Sequence, residues 1–414
     1  MKDRRTFALL LALTILALPG CGASASRDLT RDVTPQKLDF TQETPGDAGE
    51  AAARLGLGLL SLAEGENPLL SPLSILCALA MTENGAAGET LTEMETLLGR
   101  PVEELNAALG AYLAGKSEDT QGTLRLANGI WLREREDFTV EPDFLQVNAD
   151  CYRAGIYAAP FTDATLRDIN AFVKEHTDGM IDGILSELPE ETVMVLVNAL
   201  SFEAEWRDKY GEHQVRDHHF TREDGVVTEV PMMFSTEYDY LETENATGFR
   251  KPYQGGRYAF LALLPNEDSS LPELLASLTP SGLRDLAAAP QTCEVRTGLP
   301  RFELSYDAEL TGILARLGMA AAFDPMAADF SRLGAVEGEN LYIGQVLHRT
   351  FLSVGEKGTR AGAATSVVME ATSDAPGEEP KAVLLDRPFL YAIWDTEADL
   401  PVFLGTFTDP AAAQ

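Results

Sequence analysis

Five consecutive apolar side chains, Val193-Met194-Val195-Leu196-Val197, stand in the run TVMVLVNALSF (192–202). A strand with one wet face alternates apolar and polar residues, so an unbroken block of this kind asks for a strand covered on both faces. Such a strand needs a large sheet with layers above and below it. The chain has the means, with 414 residues, 45% of them hydrophobic and 23% charged.

The helical patterns lie mostly ahead of that strand. DAGEAAARLGLGLLSLAEG (47–65) carries apolar residues at helical spacing. SPLSILCALAMTENG (71–85) is apolar nearly all round, which predicts a buried helix capped by Ser71, with Pro72 in its first turn and Gly85 at its end. GETLTEMETLLG (88–99) and VEELNAALGAYLAG (102–115) add two amphipathic helices, and LRDINAFVKEHTDGMIDGIL (166–185) reads as helical with a glycine break. LRLANGIWLRE (124–134) alternates like a strand, as do several runs from 220 to 264, including YAFLALLP (258–265). A helical pair lies near 271–288, and FLYAIWD (389–395) with PVFLGTF (401–407) forms a closing hairpin. With no internal repeat and no clear linker after residue 50, the pattern predicts one α+β domain.

The N-terminus reads as an address. Met1 to Arg5 is basic, and Phe7 to Leu18 is an apolar run too short to span a bilayer comfortably. Leu18-Pro19-Gly20-Cys21 resembles a bacterial lipobox, in which Cys21 becomes the lipidated first residue after removal of residues 1–20; an ordinary signal peptide with a chance cysteine is the alternative. Residues 21–46, rich in Ser, Thr, Asp and Pro, read as a flexible tether. The expected location is the extracellular face of the bacterial envelope. A formal charge of −33 repels phosphate backbones and anionic lipid, so no nucleic-acid partner is expected and the membrane is met only through the lipid. Cys77, Cys151 and Cys293 are too scattered for a disulfide framework, and Cys77, inside SILCALAM, reads as a buried thiol.

No enzyme emerges from the polar residues. There is no Gly-x-Ser-x-Gly elbow and no His-Glu-x-x-His helix, and GEKGTRAG (355–362) lacks the Gly-Lys-Ser/Thr ending of a phosphate loop. His213, His218 and His219 are the closest approach to a metal set, but adjacent residues on a strand point to opposite faces. His348 lies in a strand-like run and reads as a buried, hydrogen-bonded histidine. Neither a metal nor a cofactor is expected.

One segment fits two environments. Sorted as a strand, 359–370 puts Thr359, Ala361, Ala363, Thr365, Val367 and Met369 on one face, and Arg360, Gly362, Ala364, Ser366, Val368 and Glu370 on the other. Both charges fall on the second face, so the first can enter a core without burying one. EKGTRAGAAT (356–365) also resembles the hinge of inhibitory serpins: a Glu, then Gly-Thr, then small residues ending in Thr. The resemblance continues in order along the chain. NPLLSPLSILCALAMTENGAAGETLTEM (67–94) resembles the family's Ser-Pro-x-Ser-Ile helix and the Gly-Ala-x-Gly-x-Thr turn after it, and LVNALSFEAEW (196–206) its central strand. LPRFELSYDAELTGILARLGM (299–319), ADFSRL (328–333), VLHRTFLSVGEKGT (346–359) and RPFLYAIWD with PVFLGTFTDP (387–410) match in turn.

The resemblance implies a serpin fold over 47–410: α+β, three β-sheets, about eight to nine helices and an exposed reactive-centre loop at about 357–380. It also implies an irreversible suicide-substrate inhibitor of serine proteases rather than an enzyme, acting as a monomer. Loop insertion in serpins is an established case of strand addition and strain release. The protease cuts the loop and forms a covalent acyl-enzyme; the freed loop enters sheet A and carries the protease about 53 Å, the length of a strand of ~16 residues. By position, Ser71, Ser74, Asn198 and His348 would form the "shutter" through which sheet A opens. Trp206, Arg301 and Glu356 would form the "breach" where insertion starts, with an Arg301–Glu356 pair pinning the hinge Glu356, Gly358, Thr359, Ala361, Gly362, Ala363, Ala364 and Thr365. The usual offset places the reactive bond at Thr372-Ser373, with Met369, Glu370 and Ala371 as alternatives. Ala371 and Thr372 suit an elastase-like pocket and Met369 a chymotrypsin-like one, while no Arg or Lys stands between Arg360 and Lys381 for a trypsin-like enzyme. The stretch 102–115, where a heparin-type activator would bind, has no basic residue and carries Glu103 and Glu104, so no such activator is expected. A non-inhibitory serpin that binds or carries a ligand is the alternative function.

Overall fold

The computed structural model describes residues 24–36, 38, 46–116, 122–188, 192–337, 340–359 and 380–413. The apolar block becomes the strand Met194–Glu205, the middle member of a seven-stranded sheet. Across that sheet the order is Arg27–Asp28, Gly155–Ala159, Thr123–Arg133, Met194–Glu205, Gly358–Thr359, Gln345–Gly355 and Phe302–Glu309. Alternate side chains of the central strand serve two cores. Met194, Leu196, Leu200 and Phe202 enter the main core, whereas Val195, Val197 and Ala199 pack with Trp131 and with Ile169 and Val173 of the helix Asp163–His176. The missing alternation follows from this two-sided burial. Asn198 has the parity of the main-core set and is fully buried.

The helix Pro72–Glu83 is buried along its whole length, with Ser71 accepting a hydrogen bond from Ser74 N as its N-cap. It packs against the central strand and against Leu400–Phe407 of a nine-stranded sheet. In that second sheet Tyr258–Pro265, Phe389–Asp395 and Leu400–Phe407 are buried throughout. Thr139–Val140 and Gly334–Ala335 form a third, two-stranded sheet. Nine α-helices and three sheets occur among the described residues, the expected α+β architecture.

One feature of the seven-stranded sheet positions the site. Gln345–Gly355 runs parallel to the central strand and pairs with it from Gln345↔Val195 to Phe351↔Ser201. Beyond that point the two strands part. The short strand Gly358–Thr359 lies between them, antiparallel to both, with Gly358↔Glu205 and Thr359↔Ala204 on one side and Gly358↔Gly355 and Thr359↔Val354 on the other. The sheet is closed at one end and wedged open at the other.

Three expectations change. The helix read over 166–185 is Asp163–His176 and stops at Thr177, whose Oγ1 donates to Val173 O; Asp178 (φ 54°) and Gly179 (φ 70°) then turn left-handed, which no helix continues through. The helix Pro142–Tyr152 and the strand Gly155–Ala159 escaped the pattern reading. The free tether over 21–46 is corrected for residues 24–36, which dock on the body. Arg27–Asp28 pairs antiparallel with Gly155–Ala159, Ser24 Oγ and Ser26 N donate to the Asp168 carboxylate at 2.9 and 2.8 Å, and Gln36 N donates to Asp150 at 2.6 Å. An edge strand offers unpaired backbone groups, and this polar segment satisfies them. Cys21 lies outside the described residues.

Candidate functional site

The closed end of the split is held by neutral side chains. Asn128, Asn198 and His348 stand level on three neighbouring strands. Ser71 N donates to His348 Nε2 at 3.1 Å, so that nitrogen accepts and the proton sits on Nδ1, which donates to Asn198 Oδ1 at 2.5 Å. Asn198 Nδ2 donates to Asn128 Oδ1 at 3.0 Å, and Ser74 Oγ donates to the same oxygen at 3.2 Å. Complete burial holds the imidazole neutral, its pKa pushed down to about 3. The four residues expected at the shutter therefore join one hydrogen-bonded chain linking the buried helix to the sheet. Asn128 is a member that sequence reading missed. Its signal was present: an amide at the apolar parity of LRLANGIWL, as Asn198 is in VLVNALSF.

The open end is held mainly by backbone. Trp206 Nε1 donates to Gly355 O at 2.7 Å, Trp206 N to Lys357 O at 2.9 Å, and Tyr210 N to Glu356 O at 2.9 Å. Arg301 and Glu356 do pair, at 3.2 Å, but their side chains are 53% and 34% exposed. A pair that wet contributes little, so the indole and the amides carry the turn. Tyr253, also missed from sequence, stacks on Trp206 with centroids 4.3 Å apart and shares a 2.5 Å hydrogen bond with the buried Thr359 Oγ1. Gly358 has φ 151°, and a Cβ there would fall 2.1 Å from Ala204 O, so only glycine admits this approach.

Chain order, the split sheet and these two clusters converge with the family comparison: residues 50–410 match the family model described as Serpin (serine protease inhibitor). The chain belongs to the serpin family. Among curated serpins it is 32% identical to an uncharacterised serpin-like protein of Thermococcus kodakarensis over 83% of this chain and 81% of that protein. It is 31% identical to the leukocyte elastase inhibitor of Bos taurus over 83% of this chain and 93% of that protein. The solved structure of the thermophilic serpin tengpin in its native state covers 93% of this chain and 99% of its own, at 40% identity and a TM-score of 0.84; the latent state of the same serpin gives 0.76.

Of the residues expected at the hinge, Glu356, Gly358 and Thr359 lie within the described part of this serpin. Ala361, Gly362, Ala363, Ala364 and Thr365, with the bond Thr372-Ser373 and the alternatives Met369, Glu370 and Ala371, lie outside it. The segment that holds them runs from Thr359 in one sheet to Lys381–Leu384, which pairs parallel with Val295–Gly298 at the edge of the other. His218 packs edge-on against Phe234, and the neighbouring His219 stands across from Glu229.

Proposed function

We propose that this serpin is an irreversible suicide-substrate inhibitor of serine proteases with an elastase-like or chymotrypsin-like preference. The observation that carries the reading is the split between Met194–Glu205 and Gln345–Gly355, already occupied by Gly358–Thr359. Extending that antiparallel ladder residue by residue sets Ala361 opposite Phe202 and Ala363 opposite Leu200. Thr365 then arrives opposite both Asn198 and His348. Each of these inserting residues has the core-facing parity, so small and uncharged side chains enter while Arg360 and Glu370 stay on the other face. A hydroxyl would replace the direct His348–Asn198 hydrogen bond at the point where the strands must separate.

The chemistry is the protease's own. Its serine Oγ attacks the carbonyl of the loop bond, the amine of the C-terminal piece leaves with a proton, and an acyl ester links the two proteins. Insertion from Ala204 to Met194 spans ten residue steps, about 33 Å of strand, and draws the ester away from the loop's original end. Deacylation needs a well-ordered active site, and traction on the ester disturbs it. A carrier serpin would need none of the small-residue run at 361–365.

The test is incubation with elastase, chymotrypsin, subtilisin and trypsin, followed by denaturing electrophoresis. A surviving complex with one of the first three is expected, and the mass of the released peptide identifies the bond. If every protease cuts the loop and stays active, the reading fails. Lipidation at Cys21, attachment to the outer face of the envelope and a monomeric state belong to the same proposal; a Cys21→Ser variant that still fractionates with membranes would remove the anchor from it.

A further inference from the structure

Beneath the turn that leads into the loop lies a buried ion pair with no part in the reading above. Lys251 Nζ and Glu237 Oε1 are 2.6 Å apart, and the side chains are 1% and 5% exposed. Glu237 also accepts from Ser235 Oγ at 2.7 Å, and Ser235 Oγ shares a hydrogen bond with Thr297 Oγ1 at 3.0 Å, so the carboxylate is fixed from a neighbouring strand. The ammonium sits 4.4 Å from the ring centre of Tyr210 and 5.6 Å from that of Trp206. Those two residues donate to three successive carbonyls, Gly355, Glu356 and Lys357. A single buried cation is thus the seat for both rings, and the residues that carry them hold, through one indole and two backbone N–H groups, the pivot that fixes Gly358 against Glu205. Replacing a buried ion pair by apolar residues of equal volume is often neutral in stability, so the charges are weak evidence of a stabilising role and point to a positional one.

We propose that Lys251 and Glu237 are a positioning pair for loop insertion: by seating Trp206 and Tyr210 they hold the first two rungs of the inserting strand in register. This inference rests on the insertion reading. Strand growth is slow to start and fast to extend, because the first rungs carry the ordering cost. A pivot held in register supplies that nucleus in advance.

The test separates insertion from inhibition. The full-length protein is nicked in its loop by a metalloprotease, which forms no acyl-enzyme, and the digestion is quenched with chelator. Conversion to the heat-resistant form is then followed by time-resolved tryptophan fluorescence and thermal unfolding. Lys251→Met combined with Glu237→Gln keeps the volume and removes the charge; it should retain the fold and convert ~10-fold more slowly, the loss of a desolvated cation–π contact. Lys251→Arg keeps a cation under the rings and should recover most of the rate. If the double variant does not accumulate, Tyr210→Leu, which keeps the backbone N–H but removes a ring, should show the same slowing. Conversion of the charge-free or Tyr210 variant at the wild-type rate overturns the proposal, and so does an arginine variant as slow as the double one. A nicked wild type that never becomes heat-resistant overturns both this role and the insertion reading. One that converts but leaves no protease complex overturns inhibition alone and leaves the pair's role standing.

Discussion

The two ends of the split in the seven-stranded sheet are built from different chemistry. At the closed end, neutral, mostly buried groups (the Ser71 backbone N–H and the side chains of Ser74, Asn128, Asn198 and His348) bond to one another across three strands and a helix. At the open end, an indole and two backbone amides hold the carbonyls of a tight turn, and the visible ion pair is half wet. The difference suits the parts they would play. Bonds that must break during insertion are side-chain bonds whose groups can find a new partner in an arriving threonine. Bonds that would persist as a pivot all end on backbone carbonyls, and two of the three are donated by backbone amides as well.

The largest effect should come from spoiling the strand proposed to insert between the two ends. Thr365→Arg would bring an unpaired charge to the shutter, costing about 3 kcal/mol or more, so complex formation with a susceptible protease should fall at least ~100-fold while the loop is still cut. Asn198→Leu leaves the His348 Nδ1–H buried without an acceptor; urea unfolding should show a loss of about 3 kcal/mol.

Next in size is a pH effect confined to the closed end. The unfolded imidazole takes up a proton near pH 6.5, whereas the buried His348 holds out to about 3. Its contribution is therefore complete above pH 6.5 and falls as the pH drops from there towards 3. Between pH 7.5 and pH 5 the wild type should lose about 2 kcal/mol more than His348→Gln does, measured by urea unfolding of both. At the open end, Trp206→Phe removes the donor to Gly355 O and should cost about 1–2 kcal/mol. Arg301→Gln should be the mildest change, about 0.5 kcal/mol or less. A larger loss for Arg301→Gln than for Trp206→Phe would reverse the assignment of what holds the turn.

Much of this was legible because burial leaves periodic marks. The unbroken run at 193–197 called for a strand covered on both faces, and the all-round apolar run after Ser71 for a buried helix. Polar residues inside such runs, Asn198 and His348, announced themselves as buried and bonded. Asn128 carried the same mark in a less strongly apolar strand. Tyr210, Tyr253, Lys251 and Glu237 carried none, because each meets its partners through tertiary contacts and none stands inside an apolar run that would mark it as buried. The segment 24–36 looked like a tether for a related reason: its bonds are made to an edge strand and to Asp168, neither of which leaves any trace in local composition.

On the proposed mechanism, the split takes up the loop in the register set by Gly358 and Thr359. The structure of the loop-cleaved protein tests it directly. A continuous strand between Met194–Glu205 and Gln345–Gly355 is expected, with Thr365 level with both Asn198 and His348. A cleaved loop left outside the sheet, or a strand shifted so that Thr365 misses that level, would contradict it.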